Sequence, residues 1–96
     1  LHLVMGMVKD KDINKVLSVL PKDALYYFCN AHIERAMPHE TLKEKAASYG
    51  LHGNSFDDVN IAIGRARSAA AGNDTIIVCG SVFLIAEVDN GLFSNL

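Results

Sequence analysis

Tryptophan is absent from the 96-residue sequence, proline and cysteine occur twice each, and aromatic residues make up only 7%. Scarce proline excludes a collagen-like or proline-rich extended chain, and a composition 50% hydrophobic and 21% charged excludes intrinsic disorder. The two cysteines, Cys29 and Cys79, have no CxxC spacing, so neither a disulfide-stapled scaffold nor a zinc ribbon is written here. Each ends an apolar run, where small buried thiols are common. An excess of one charge is missing as well: nine Lys and Arg stand against eleven Asp and Glu, a net charge of −2. With no basic patch, nucleic acid and anionic membrane surfaces lose their electrostatic attraction and are not expected as partners. The apolar runs, that over residues 82–86 among them, fall far short of the roughly 20 residues that span a bilayer. No charged segment followed by an apolar stretch and a cleavage site opens the chain, which makes the cytoplasm the expected location. The sequence begins at Leu1, inside an apolar run and without Met, as expected of a piece cut from a longer protein.

What is present fits one domain with one modest core. Leu3, Val4, Met5, Gly6 and Met7 read as a buried strand that runs into the charged stretch Lys9, Asp10, Lys11 and Asp12. Asp12 is a good helix N-cap; Ile13, Val16, Leu17 and Leu20 then share one helical face, and Pro21 stops the winding. Residues 24–29 form a second apolar run, rich in aromatics and suited to a strand buried on both faces. Pro38 suits the first turn of a second helix carrying Leu42, Ala46 and Tyr49, with Gly50 as its C′ residue. Residues 51–55 allow at most a brief strand. A third helix is expected over 57–71, opened by a capping box of Ser55 and Asp58 and closed at Gly72. Residues 75–79 read as a clearly buried strand, and 82–88 as a buried helix begun by Gly80-Ser81.

Buried strands joined by helices imply an α/β fold: a three-layer, Rossmann-like domain with a mainly parallel sheet and helices on both faces. Ligands of such folds bind outside the carboxyl ends of the strands. The loops after the strands gather Lys9, Asp10, Lys11, Asp12, His32, Glu34, Arg35 and Ser81 along that edge. Blander readings compete. Residues 9–12 make an ordinary solvated loop and cap, Arg35 an ordinary surface charge, Gly80-Ser81 an ordinary turn, and Tyr26, Tyr27 and Phe28 ordinary sheet packing. His2, His32, His39 and His52 lack paired metal-ligand spacing, and neither GxSxG nor GxxxxGK[ST] occurs.

Val4-Met5-Gly6-Met7 followed by Asp10-Lys11-Asp12 resembles the strand and loop of the C-terminal domain in the Mur ligase superfamily, specifically its folylpolyglutamate synthase branch. The stretch from Asn30-Ala31-His32 to Arg35-Ala36-Met37-Pro38 is similar to that branch's polar loop ending in Pro-Arg-Ala, with Glu34 in place of the proline before the arginine. Cys79-Gly80-Ser81-Val82-Phe83-Leu84-Ile85-Ala86-Glu87-Val88 resembles its closing Gly-Ser helix. The family's opening Asp-x-Ala-His-Asn-Pro segment is not in the sequence, so the resemblance implies most of that domain, residues 1–96, without its first strand and helix and with one sheet edge left open.

The resemblance implies an ATP-dependent ligase that activates a folate carboxylate as an acyl phosphate, which the amino group of an incoming glutamate then attacks. ATP and Mg²⁺ would be held mainly by the central ATP-binding domain of the same parent chain, so the fragment alone is expected to be inactive. Glutamate and folate would be the substrates. The implied glutamate-binding residues are Lys11, a flexible ammonium, Arg35, a bidentate fork, and Ser81, a hydroxyl at a helix start. Asp10, Asp12, His32 and Gly80 would support them, Gly80 by letting ligand approach the backbone. Two alternatives remain: the corresponding domain of another Mur-type ligase, or a stand-alone α/β binding module that shares the architecture only.

Overall fold

A computed structural model describes residues 1–9 and 12–89. The first apolar run forms β1 (His2–Gly6), buried at all five positions. Asp12 then caps α1 (Ile13–Val19), its carboxylate accepting the Lys15 amide at 3.4 Å, and the chain returns to extended geometry at Leu20. The remaining elements are β2 (Leu25–Phe28), α2 (His39–Ala47), β3 (Gly53–Ser55), α3 (Val59–Ala69), β4 (Ile76–Gly80) and α4 (Val82–Ala86). Among the described residues no helix is long and apolar enough to cross a membrane.

The four strands are all parallel, in the order β3-β2-β1-β4. From β1 the chain steps outward twice, through α1 to β2 and through α2 to β3, and α3 then carries it back past β1 to β4. With right-handed crossovers, this reversal of direction puts the returning helix on the opposite face. The core divides accordingly. Leu3, Met5, Tyr26 and Phe28 pack on one face against Ile13, Leu17, Leu42 and Ala46 of α1 and α2. Val4, Tyr27 and Cys29 pack on the other against Val59, Ala62, Ile63, Ala66 and Leu84 of α3 and α4. The expected three layers are therefore present, and Tyr26 stacks on Phe28 at 5.5 Å between centroids as sheet packing. A fully buried side chain such as Leu42 or Ile63 contributes about 1.5–3 kcal/mol.

Gly50 closes α2 as the sequence predicts. Its φ of +79° lets its own amide reach Ala47 O and the Leu51 amide reach Ala46 O, both at 3.0 Å, in the paired bonds of a Schellman motif. Other expectations are corrected. Pro38 sits at the N-cap rather than within the first turn of α2. The Ser55–Asp58 capping box does not form, because Ser55 ends β3 and its hydroxyl meets His39 Nδ1 at 2.9 Å. Asp58 itself caps α3, accepting the Asn60 amide at 2.7 Å and the Ile61 amide at 3.4 Å. α3 also stops at Ala69, short of Gly72. Asp58→Ala should lower stability by about 1 kcal/mol in urea unfolding, while Ser55→Ala should leave α3 intact. Finally, β4 is not the fully buried strand expected. It pairs with β1 alone among the described strands, and Ile77 remains 42% exposed, because neither flanking helix layer fully spans this edge.

At the amino ends of the strands, buried His2 donates through Nε2 to the Asp74 carboxylate at 2.9 Å, and its Nδ1 meets the Tyr27 hydroxyl at 2.9 Å. This network ties the starts of β1, β2 and β4 together, away from the edge where the candidate residues lie. Burial pushes the Cys29 thiol up to about 12 and also raises Cys79, so both remain protonated at neutral pH.

Candidate functional site

The reversal of direction falls between β1 and β4, whose exits lead to helices on opposite faces. In doubly wound sheets this switch point is where ligands bind. The exit of β1 is stitched to the loop that leaves β2. Val8 and Ala36 form an antiparallel bridge, Met37 N–H donates to Met7 O at 2.8 Å, and Lys9 N–H donates to Arg35 O at 2.8 Å. Ala36 N–H closes a turn onto Ile33 O at 3.1 Å, leaving Glu34 and Arg35 at its exposed tip. The Arg35 guanidinium lies over the Phe83 ring of α4, 5.6 Å from its centroid, a cation–π placement.

The β4 exit approaches the same place. Ser81 is buried, its amide donating to Gly6 O at 3.0 Å and its Oγ accepting the Phe83 amide at 3.1 Å. Phe83 thus connects the two expected ligand groups, touching Arg35 through its ring and Ser81 through its amide. The expected free amides at this helix start are not available as a set. Besides Phe83, the Leu84 and Ile85 amides bond Ser81 O at 3.1 and 3.2 Å, and a five-residue helix carries little dipole. Ser81 can therefore offer a ligand its hydroxyl proton, but not a nest of amides. Gly80 has a structural role as well. Its φ is +109°, and a Cβ there would lie 2.0 Å from Gly6 O, so its missing side chain allows the close contact between strands.

His32 draws three segments together. Its amide donates to Glu87 Oε2 at 2.7 Å, its Nε2 donates to Asp57 O at 2.7 Å, and its Nδ1 lies 3.3 Å from Glu87 Oε1. The hydrogen bond to the Asp57 carbonyl, followed by the Glu87 charge, raises its pKa above the usual imidazole value. Asn60 completes the cluster by donating to Glu87 O at 2.9 Å and accepting the Asp89 amide at 2.7 Å. Glu87, Asn60 and Phe83 had drawn no role in the sequence reading. His32 and Glu87 stand 55 positions apart, so no local periodicity could pair them.

Of the remaining candidates, Asp12 caps α1 as expected, while Asp10 and Lys11 lie outside the described residues. An open depression of about 550 Å³ lies elsewhere, lined by Glu40, Lys43, Glu44, Ala47 and Ser55. It is formed by the outer surface of α2 and the edge strand β3, remote in the sheet order from the β1–β4 switch point. Among the described residues no group of three or more His, Cys, Asp or Glu side chains converges as a metal ion would require.

Fold and site together define a doubly wound α/β domain with a polar, cation-bearing rim at the carboxyl ends of its strands. The family profile of the Mur ligase, glutamate ligase domain, matches residues 1–82, and the chain belongs to that family. A probable bifunctional folylpolyglutamate synthase/dihydropteroate synthase from Haloferax volcanii is 34% identical over 90 residues, 91% of this chain and 10% of that protein. The dihydrofolate synthase/folylpolyglutamate synthase of Escherichia coli K12 is 35% identical over 85 residues, 88% of this chain and 19% of that protein. The crystal structure of the Yersinia pestis bifunctional folylpolyglutamate synthase/dihydrofolate synthase, complexed with AMPPNP and a manganese ion, superposes with a TM-score of 0.78 at 29% identity. It is matched over 96% of this chain and 22% of its own. E. coli FolC in complex with DHPP and ADP gives a TM-score of 0.75 at 29% identity, over 98% of this chain and 22% of that one. The chain thus spans roughly a tenth to a fifth of the length of these relatives.

Proposed function

We propose that this chain is the amino-acid-binding C-terminal domain of a cytoplasmic, ATP-dependent folylpolyglutamate synthase, comprising most of that domain without its first strand and helix. In such a ligase a folate carboxylate is carried as an acyl phosphate, and the amine of glutamate attacks its carbonyl carbon, loses a proton and displaces phosphate. The observation that carries the reading is the meeting of Arg35 and Ser81 on either side of Phe83 at the switch point of a chain from the glutamate ligase family.

The residues present do not fit a triphosphate or a Mg²⁺ ion. The sequence lacks GxxxxGK[ST], and no metal-ligand cluster forms among the described residues. In the proposed division of labour, phosphate and Mg²⁺ are handled mainly by the central ATP-binding domain of the parent, and this chain acts on the amino acid. Free glutamate carries two carboxylates, each needing cationic or N–H and O–H donors. Arg35 offers a planar guanidinium fork, and Ser81 offers one hydroxyl proton. Lys11 adds an ammonium on sequence grounds, between Asp10 and the helix-capping Asp12.

Ser81→Ala separates ligand binding from capping. As a cap alone, Ser81 would contribute about 1 kcal/mol to stability and nothing to kinetics. The proposal expects, in addition, about a tenfold rise in the glutamate KM of the complete ligase, with the ATP KM unchanged. A lower melting temperature with normal glutamate kinetics would make Ser81 a cap only.

A further inference from the structure

The turn that presents Arg35 is fastened at two ends by different chemistry. Its carboxyl side is held by main-chain bonds to the exit of β1, through Lys9, Ala36 and Met37. Its amino side is held by His32, which grips the end of α4 through Glu87 and the loop before α3 through Asp57 O. The first fastening carries no titratable side chain, whereas the second includes the His32 imidazole beside its main-chain amide bond.

We propose that His32 is a positioning residue whose imidazolium form clasps Glu87 and the Asp57 carbonyl, holding the Arg35 turn against α4 and so setting glutamate affinity as a function of pH. The argument is geometric. A carbonyl oxygen faces Nε2 and a carboxylate oxygen faces Nδ1, both purely acceptors, so the ring satisfies both only when it carries two protons. On losing the Nδ1 proton, the ring turns a lone pair toward a carboxylate, and the contact becomes repulsive. Among the described residues the charges that act on the ring are acidic: Glu87 at the end of α4, and Asp58 and Asp57 before α3. The neighbouring consequence is specific. α4 carries Phe83 beneath the Arg35 guanidinium and begins at Ser81, and Asn60 anchors the same Glu87 and Asp89 segment to α3. Losing the Nδ1 proton therefore removes the ring's share of the tie between the Arg35 turn and the far end of α4, while the His32 amide bond to Glu87 Oε2 and the Lys9–Arg35 main-chain bond persist. The His32 pKa is raised on folding, so the clasp contributes fully below about pH 6.5 and is lost as pH rises through the folded value.

This inference rests on the glutamate-binding reading, so its test has one readout that does not use glutamate. In NMR titrations of the chain, the Arg35 and Ser81 amides should shift with the midpoint of the His32 ring, and Glu87→Gln should lower that midpoint by about one pH unit. In the complete ligase, the glutamate KM should rise about fivefold across the same titration, and His32→Gln or Glu87→Gln should flatten that dependence. An unmoved His32 midpoint in Glu87→Gln, amides indifferent to the titration, or a glutamate KM independent of pH in the wild type would each overturn the proposal. Failure of the glutamate reading itself shows differently, as a glutamate KM unchanged by Lys11→Ala whatever the NMR titration gives.

Discussion

Gly80→Val should lower stability by more than about 3 kcal/mol in urea unfolding, enough to leave much of a marginal domain unfolded. Two costs combine at this position. With φ at +109°, Gly80 occupies a region that a β-branched residue essentially never adopts. A Cβ would also stand 2.0 Å from Gly6 O and 3.1 Å from its carbonyl carbon, which are backbone atoms and not a side chain that can swing away. Gly6 cannot retreat, because it is in register with Gly80 across the β1–β4 ladder and its oxygen accepts the Ser81 amide at 3.0 Å. The control is Gly72→Ala, where an added Cβ meets nothing within 4 Å; it should be neutral or stabilising by up to about 1 kcal/mol. Equal effects at the two positions would show that Gly80 is only another turn residue.

The same glycine shows where sequence reading stops. Gly80 was legible as a special residue at a strand's carboxyl end, but its steric need for glycine was not, because the neighbour that imposes it, Gly6, lies 74 positions earlier and across a strand pair. Local features were read well for local reasons. Asp12 caps α1, Gly50 closes α2, and the alternation of apolar runs with 3.6-residue periodicity gave the layered α/β fold. Strand order is not local, so the sequence could not show that β4 occupies an edge; its β-branched run looks the same at an edge or at the centre. Ser55 and Asp58 have capping-box spacing, yet β3 takes Ser55 into the sheet and leaves Asp58 to cap α3 alone.

The site divides along the same line. Loops that follow parallel strands must gather at one edge, so His32, Arg35 and Ser81 were legible as neighbours from topology alone. What joins them was not. Phe83 lies beneath Arg35 because α4 follows β4 on one side of the sheet, and Glu87 reaches His32 only because that helix ends after little more than one turn. The hydrogen bonds that occupy the amides at the start of α4 also lay beyond any motif, and they reduce Ser81 from the mouth of an anion nest to a single hydroxyl donor.

Lys11→Ala in the complete ligase should raise the glutamate KM by about 30- to 1000-fold, the equivalent of roughly 2–4 kcal/mol of binding. Its immediate neighbours define the setting. On one flank the Lys9 amide is bonded to Arg35 O, and on the other Asp12 caps α1. Removing an ammonium that neutralises a carboxylate leaves that carboxylate without its partner, and a charge-assisted bond is costlier to lose than a neutral one. On the proposed reading the cation acts on the amino acid and not on phosphate, so kcat and the KM values for ATP and folate should move far less. The central claim, that this edge holds the incoming glutamate, therefore rests most directly on the glutamate KM of Lys11→Ala measured alongside that for ATP. The account predicts a large, selective rise for glutamate; an unchanged glutamate KM, or equal rises for both substrates, would contradict it.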